Sequence, residues 1–159
     1  MHIHCIQTGG TIDKTYPPNP TNHGYNFEIT TPAIARILSE VHFPHEYTVT
    51  ECVKKDSLDI TDDDRQHILK TVIDSPHEHI LITSGTDTIH VTGKVLQDAH
   101  LPKIITLTGS ILPESMKGSD ASFNIGMACG AIGTLPHGVY IVLYGSVWNL
   151  DEYIQKRVA

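Results

Sequence analysis

Five short aliphatic runs, separated by helix-like segments, constrain this chain more than any other feature. They fall at residues 2–7, 46–53, 80–83, 104–107 and 139–143. Short apolar runs bounded by turn formers read as buried strands. Between them, Thr31-Pro32 reads as an N-cap and first-turn proline opening a helix through Ile34, Ile37, Leu38 and Val41. Thr61 reads as the cap of a second helix to about Asp74, with Asp62, Asp63 and Asp64 at its positive end. Further helices are predicted up to Asp98 and over 121–133. Strand and helix in alternation predict an α/β fold, a mainly parallel sheet with crossover helices on both faces.

Three of these runs end in turns that combine glycine with hydroxyls. They are Thr8-Gly9-Gly10-Thr11-Ile12, Ser84-Gly85-Thr86-Asp87-Thr88-Ile89 and Thr108-Gly109-Ser110. Glycine at a strand's carboxyl end lets the backbone turn sharply and approach a ligand closely. In an open α/β sheet that end is where ligands bind. Two threonine hydroxyls beside a carboxylate suggest acyl or amide chemistry. Taken singly, either turn reads more readily as Thr11 or Thr86 serving as a cap or turn residue for nearby amides.

Composition removes several function classes. At 159 residues, with a net charge of −7 and no dense basic block, the chain suits a single domain without nucleic acid or anionic membrane as partner. No apolar run approaches the roughly 20 residues needed to span a bilayer. The start of the chain runs directly into a strand, so no signal peptide is expected, and Cys5, Cys52 and Cys129 lack metal spacing. A cytoplasmic protein with reduced thiols is expected. Gly93-Lys94 fails as a phosphate loop, because Thr88 and Val95 occupy the positions that need glycine and Ser/Thr. His2-x-His4 and His77-x-His79 lack a third ligand at zinc spacing and read as edge histidines rather than a metal site.

The segments, in order, resemble the bacterial-type L-asparaginases. The resemblance is carried by TGGTI at 8–12, Lys55-Asp56-Ser57-Leu58-Asp59, SGTDTI at 84–89, Thr108-Gly109-Ser110 and Ser119-Asp120-Ala121-Ser122-Phe123-Asn124. It covers nearly the whole chain and only that family's N-terminal, flavodoxin/Rossmann-like domain. Residues 1–159 are thus expected to be one such domain without the family's C-terminal domain, as in the short single-domain asparaginases. Ser84 departs from the histidine usual before Gly-Thr-Asp.

The resemblance implies roles. Thr11 stands at the nucleophile and Thr86 at the second essential threonine. Asp87 stands where the substrate's amino group is bound, Ser57 where its carboxylate is held, and Ser110 near the amide. Gly10 and Gly85 belong to the turns that line the pocket. Lys156 is the candidate for the family lysine, at a slip of about one residue, and otherwise a solvated terminal lysine. Tyr16 or Tyr25 stands for the tyrosine of a loop over the site, Tyr16 being nearer Thr11.

The expected activity is hydrolysis of L-asparagine to L-aspartate and ammonia through an acyl-threonine, with no metal or organic cofactor. Two alternatives stand beside it: a non-catalytic binder of asparagine or aspartate, and an ammonia-releasing component of an amidotransferase. A homo-oligomer, dimer or tetramer, is expected to close the open pocket. The apolar residues Val147, Trp148, Leu150, Tyr153, Ile154 and Val158 are candidates for its interface.

Overall fold

The computed structural model describes residues 1–16 and 26–158. Strand β1 (His2–Gly9) is buried from Ile3 onward and leads into a 3-10 turn, Thr11–Asp13. A two-stranded antiparallel ribbon follows, β2 (Lys14–Thr15) with β3 (Glu28–Ile29). The chain continues through α1 (Ala33–Glu40), β4 (Glu46–Lys55), α2 (Asp62–Asp74), β5 (His79–Thr83), α3 (Ile89–Asp98) and β6 (Ile104–Thr108). It then forms α4 (Ala121–Ile132), β7 (Gly138–Leu143), β8 (Ser146–Asn149) and α5 (Leu150–Val158).

The main sheet has the order β4-β1-β5-β6-β7-β8, with every pair parallel except β7–β8. Side chains alternate across it because strand periodicity is two residues. Ile3, Cys5 and Leu81 pack on one face with Ile34 and Ile37 of α1 and Ile125 and Ile132 of α4. Ile6, Ile80, Ile82 and Leu107 pack on the other with Ile68 of α2, Leu96 of α3 and Leu150 of α5. Helices therefore cover both faces, which explains why the central strands are buried along nearly their whole length. Burial pushes the Cys5 and Cys129 thiols up, that of Cys129 to about 11, so both behave as core residues rather than nucleophiles. Among the described residues, no helix is long and apolar enough to cross a membrane.

Helix α2 begins as its sequence predicts. Thr61 Oγ1 accepts from Asp64 N at 3.2 Å, and Asp64 Oδ2 accepts from Thr61 N at 2.8 Å. This reciprocal box satisfies two amides that the first helical turn leaves unpaired. Helix α1 differs. Pro32 occupies its N-cap position without a side-chain bond, and Asp13 Oδ1 instead accepts from Ala33 N at 2.7 Å. The Thr31 hydroxyl accepts from Arg36 Nη1. A carboxylate delivered by the turn after β1 displaces the local threonine, and reading neighbours in sequence does not reveal it.

That buried cap carries a pH signature. Burial raises the Asp13 carboxyl from 3.8 to about 6, opposed in part by the bond from Ala33. Among the described residues, its Oδ2 is buried without a hydrogen-bond partner. The folded state therefore holds a proton that the unfolded state has released between about pH 3.8 and 6. Stability from this group is fully present below that window and falls as pH rises through it, by about 3 kcal/mol in all. Asp13→Asn keeps an acceptor for Ala33 without the charge. It is expected to flatten the stability profile between pH 4 and 6 and to match or exceed the parent at pH 8. Urea midpoints measured across that range check this, and parallel curves for the two proteins would reject it.

The chain after β7 makes a hairpin and a helix. Tyr144 and Gly145 connect β7 to β8 with φ of 55 and 77°, the paired positive values that a two-residue type I′ turn requires. Leu150 is wholly buried, Tyr153 and Ile154 pack beside it, and Trp148 lies beneath Lys156. Much of the apolar content expected at an interface thus covers the chain's own sheet. Val147 remains exposed.

Candidate active site

Strand order decides where a pocket can form. From β1 the chain passes to β4 on one side, and from there it crosses back to β5 on the other. The order reverses between β1 and β5, and the turns that leave these two strands flank the resulting crevice. These are the two threonine turns. The third glycine turn leaves β6 next to β5.

The turns touch. Gly10 has φ of 87°, and a Cβ there would lie 2.2 Å from Gly85 N. A Cβ on Gly85 would lie 2.6 Å from Ser57 Cβ, and one on Gly109 would lie 2.2 Å from Ser84 O and 3.3 Å from Thr86 Cγ2. Four segments distant in sequence therefore meet through backbone that only glycine permits at such separations. Buried hydroxyls tie the strand ends together: Thr8 Oγ1 donates to Thr83 O at 2.8 Å, and Thr108 Oγ1 donates to Val142 O at 2.7 Å.

Within this frame Thr11 is half-buried and opens the 3-10 turn. Thr86 is half-buried. Ser57 is buried; its Oγ donates to Asp87 Oδ2 at 3.2 Å, and its carbonyl accepts from Thr88 Oγ1 at 2.7 Å. Asp87 is exposed, and its carbonyl accepts from Arg157 Nη2 at 2.9 Å. The structure thus brings Thr11, Thr86, Ser57, Asp87, Gly10 and Gly85 into one region. Ser110 is buried in the adjoining turn, where its hydroxyl donates to Leu112 O at 2.5 Å.

The outer candidates lie differently. Lys156 Nζ sits 3.6 Å above the Trp148 ring. Tyr16 is exposed and packs at a tilt against Phe27, with ring centroids 4.1 Å apart. Tyr25 lies outside the described residues. The His2 ring stacks on His77 at 3.7 Å, and the His4 nitrogens bond Ser75 and Thr50, both 2.8 Å away.

Several supporting residues have no role in the sequence reading. Asp120 accepts from Ile111 N at 3.0 Å and from Leu112 N at 3.1 Å, and Asn124 Nδ2 donates to Gly109 O at 2.9 Å. They hold the third turn, which explains the Ser-Asp-Ala-Ser-Phe-Asn segment. Lys14 pairs with Asp56 at 2.5 Å and holds that carboxyl below its usual range, pinning the segment before Ser57 to the first turn. Glu114 N donates to Ile12 O at 3.1 Å and Ser115 Oγ to Lys14 O at 3.1 Å, closing the third turn's loop over the first. Arg157 reaches the second turn from α5, an element absent from the sequence prediction.

Known proteins share this arrangement of elements. The family described as asparaginase, N-terminal, matches residues 2–153. One of the subunits of the glutamyl-tRNA(Gln) amidotransferase of Methanococcus vannielii is 32% identical over 133 residues, which are 79% of this chain and 27% of that protein. The thermostable L-asparaginase from Thermococcus kodakarensis superposes with a TM-score of 0.83 at 24% identity, over 94% of this chain and 46% of that one. L-asparaginase I from Vibrio cholerae gives a TM-score of 0.79, again at 24% identity and with the same coverage. The structural likenesses are of fold, and the chain spans less than half of each of these relatives.

Proposed function

Because the chain belongs to the asparaginase family through its N-terminal domain, we propose that it hydrolyses a side-chain amide, with L-asparagine as substrate and L-aspartate and ammonia as products. The observation that carries this reading is the meeting of two threonine turns at the crevice between β1 and β5, with Ser57 and Asp87 paired at 3.2 Å beside them. Asp87 pairs with the substrate ammonium, and Ser57 hydrogen-bonds its carboxylate. Ser110 and the backbone N–H groups of the glycine turns face the amide, and such donors stabilise the oxyanion by about 3 kcal/mol each.

Thr11 Oγ attacks the amide carbon as its proton passes to a base. Tyr16, or Thr86 acting with Lys156, receives that proton and returns it to the departing nitrogen, which leaves as ammonia. Water then cleaves the threonine ester, releasing aspartate and restoring the hydroxyl. Asp87 is exposed and the site opens along the sheet edge, so a homo-oligomer, a dimer or a tetramer, completes it. The cytoplasm is the setting proposed.

The amidotransferase relative favours a second reading, release of ammonia for transfer rather than as end product. Steady ammonia release from free L-asparagine by the purified chain is the expected result. Aspartate binding without turnover would replace the proposal with a binder. Release only in the presence of an acceptor complex would favour the second reading.

A further inference from the structure

Helix α5 lies back along α3, and three contacts fix the relation. A Cβ on Gly93 of α3 would lie 2.8 Å from Cδ1 of Leu150, the first residue of α5, so the two helices meet at glycine distance. One turn further along α3, Gln97 Nε2 donates to Asp151 Oδ2 at 3.2 Å. At the other end of α5, Arg157 Nη2 donates to Asp87 O at 2.9 Å. At about 1.5 Å of rise per residue, the helix from Leu150 to Arg157 is roughly 10 Å long, enough to reach from Gly93 past the start of α3. The carbonyl it reaches is one that α3 leaves out: Val91 N and Thr92 N both donate to Thr88 O, one residue after Asp87.

We propose that Arg157 is a positioning residue that fixes the backbone of Asp87, so that the Asp87 carboxylate faces the substrate's ammonium. The proposal rests on the amidohydrolase reading and names how its amino-group contact is oriented. The Asp87 side chain is exposed, and the bond it accepts from Ser57 Oγ is 3.2 Å, long for a hydroxyl donor. With so weak a hold at its tip, the direction of the carboxylate depends on the backbone that carries it. Arg157 supplies that hold through a charge-assisted bond, stronger than one from a neutral donor. Residue 87 is thus gripped at its carbonyl from α5 and at its carboxylate from the segment after β4. Arg157 is itself exposed and belongs to neither hydrophobic cluster, so removing it takes away this contact and little packing.

Ligands with and without the amino group separate this role from general support of the fold. Arg157→Ala is expected to raise KM for L-asparagine about tenfold, with kcat changed less than about threefold and melting unchanged. Arg157→Lys keeps a cationic donor on a different reach and should recover part of that loss. L-Aspartate should bind the alanine variant about tenfold more weakly than the parent, whereas succinate, the same diacid without the ammonium, should bind both alike. In an Asp87→Asn background, Arg157→Ala should have no further effect on aspartate binding. Equal weakening for aspartate and succinate overturns the proposal. So does a KM within about twofold of the parent, or a loss confined to kcat. A parent chain that binds aspartate without turnover would instead overturn the functional reading, and the two dissociation constants then decide Arg157.

Discussion

Thr11→Ala and Thr86→Ala are each expected to fold as the parent does and to lose ammonia release by roughly a thousandfold or more. Both side chains are half-buried at the crevice and neither belongs to the two hydrophobic clusters. Removing them therefore takes away transition-state stabilisation rather than core packing. The adjacent Thr8 provides the contrast. Its hydroxyl is fully buried and donates to Thr83 O, so Thr8→Val should cost stability through an unsatisfied carbonyl. Thr11→Ser should keep part of the activity, since the nucleophile survives and only the methyl that restricts its rotamer is lost. Single-turnover ammonia release alongside thermal melting checks the set. Near-normal release from either alanine variant would remove that residue from the mechanism.

Gly10→Ala is expected to have the largest effect on the fold. A Cβ there would lie 2.2 Å from Gly85 N and 2.4 Å from Gly85 Cα, and both obstructing atoms are backbone. No rotamer change relieves that contact, so either the first or the second threonine turn must move. The φ of 87° adds left-handed strain. A loss of about 4 kcal/mol or more is expected, a large part of an ordinary domain's total stability. Activity should vanish with it, because the contact that breaks joins the two threonine turns. Gly118→Ala is the control, since Gly118 has φ of 81° but nothing within 4 Å of the added atom. That variant should lose only the backbone term, of order 1 kcal/mol. Equal denaturation midpoints for the two variants would show that the close approach of the turns contributes nothing.

The readable part of this chain is the part encoded by local periodicity. The five strands appear close to their predicted bounds, because short aliphatic runs between turn formers have few other ways to be buried. The Thr61 cap and its aspartates are equally local, all within one helical turn. The hairpin to β8 is not legible in this way. Its turn carries Tyr-Gly instead of the usual Asn-Gly, and its four residues, Ser146–Asn149, are too short to show alternation. The role of Asp13 is hidden for a different reason: it caps a helix twenty positions away in sequence, a pairing set by the turn after β1.

Neighbouring residues are enough to specify an α/β chain with hydroxyl-bearing glycine turns at three strand ends, since strand and turn chemistry act over short spans. The resemblance of several such turns in order points to the family whose N-terminal domain matches residues 2–153. Which turns meet is a matter of long-range packing. Strand order puts the turn after β1 beside that after β5, and glycine-sized contacts close the gap between them. The same packing sets Lys156 on Trp148 and ties Arg157 to Asp87. Arg157 lies far along the chain from the second threonine turn. Assembly of the whole sheet and its last helix, rather than any local preference, settles which side chains arrive there.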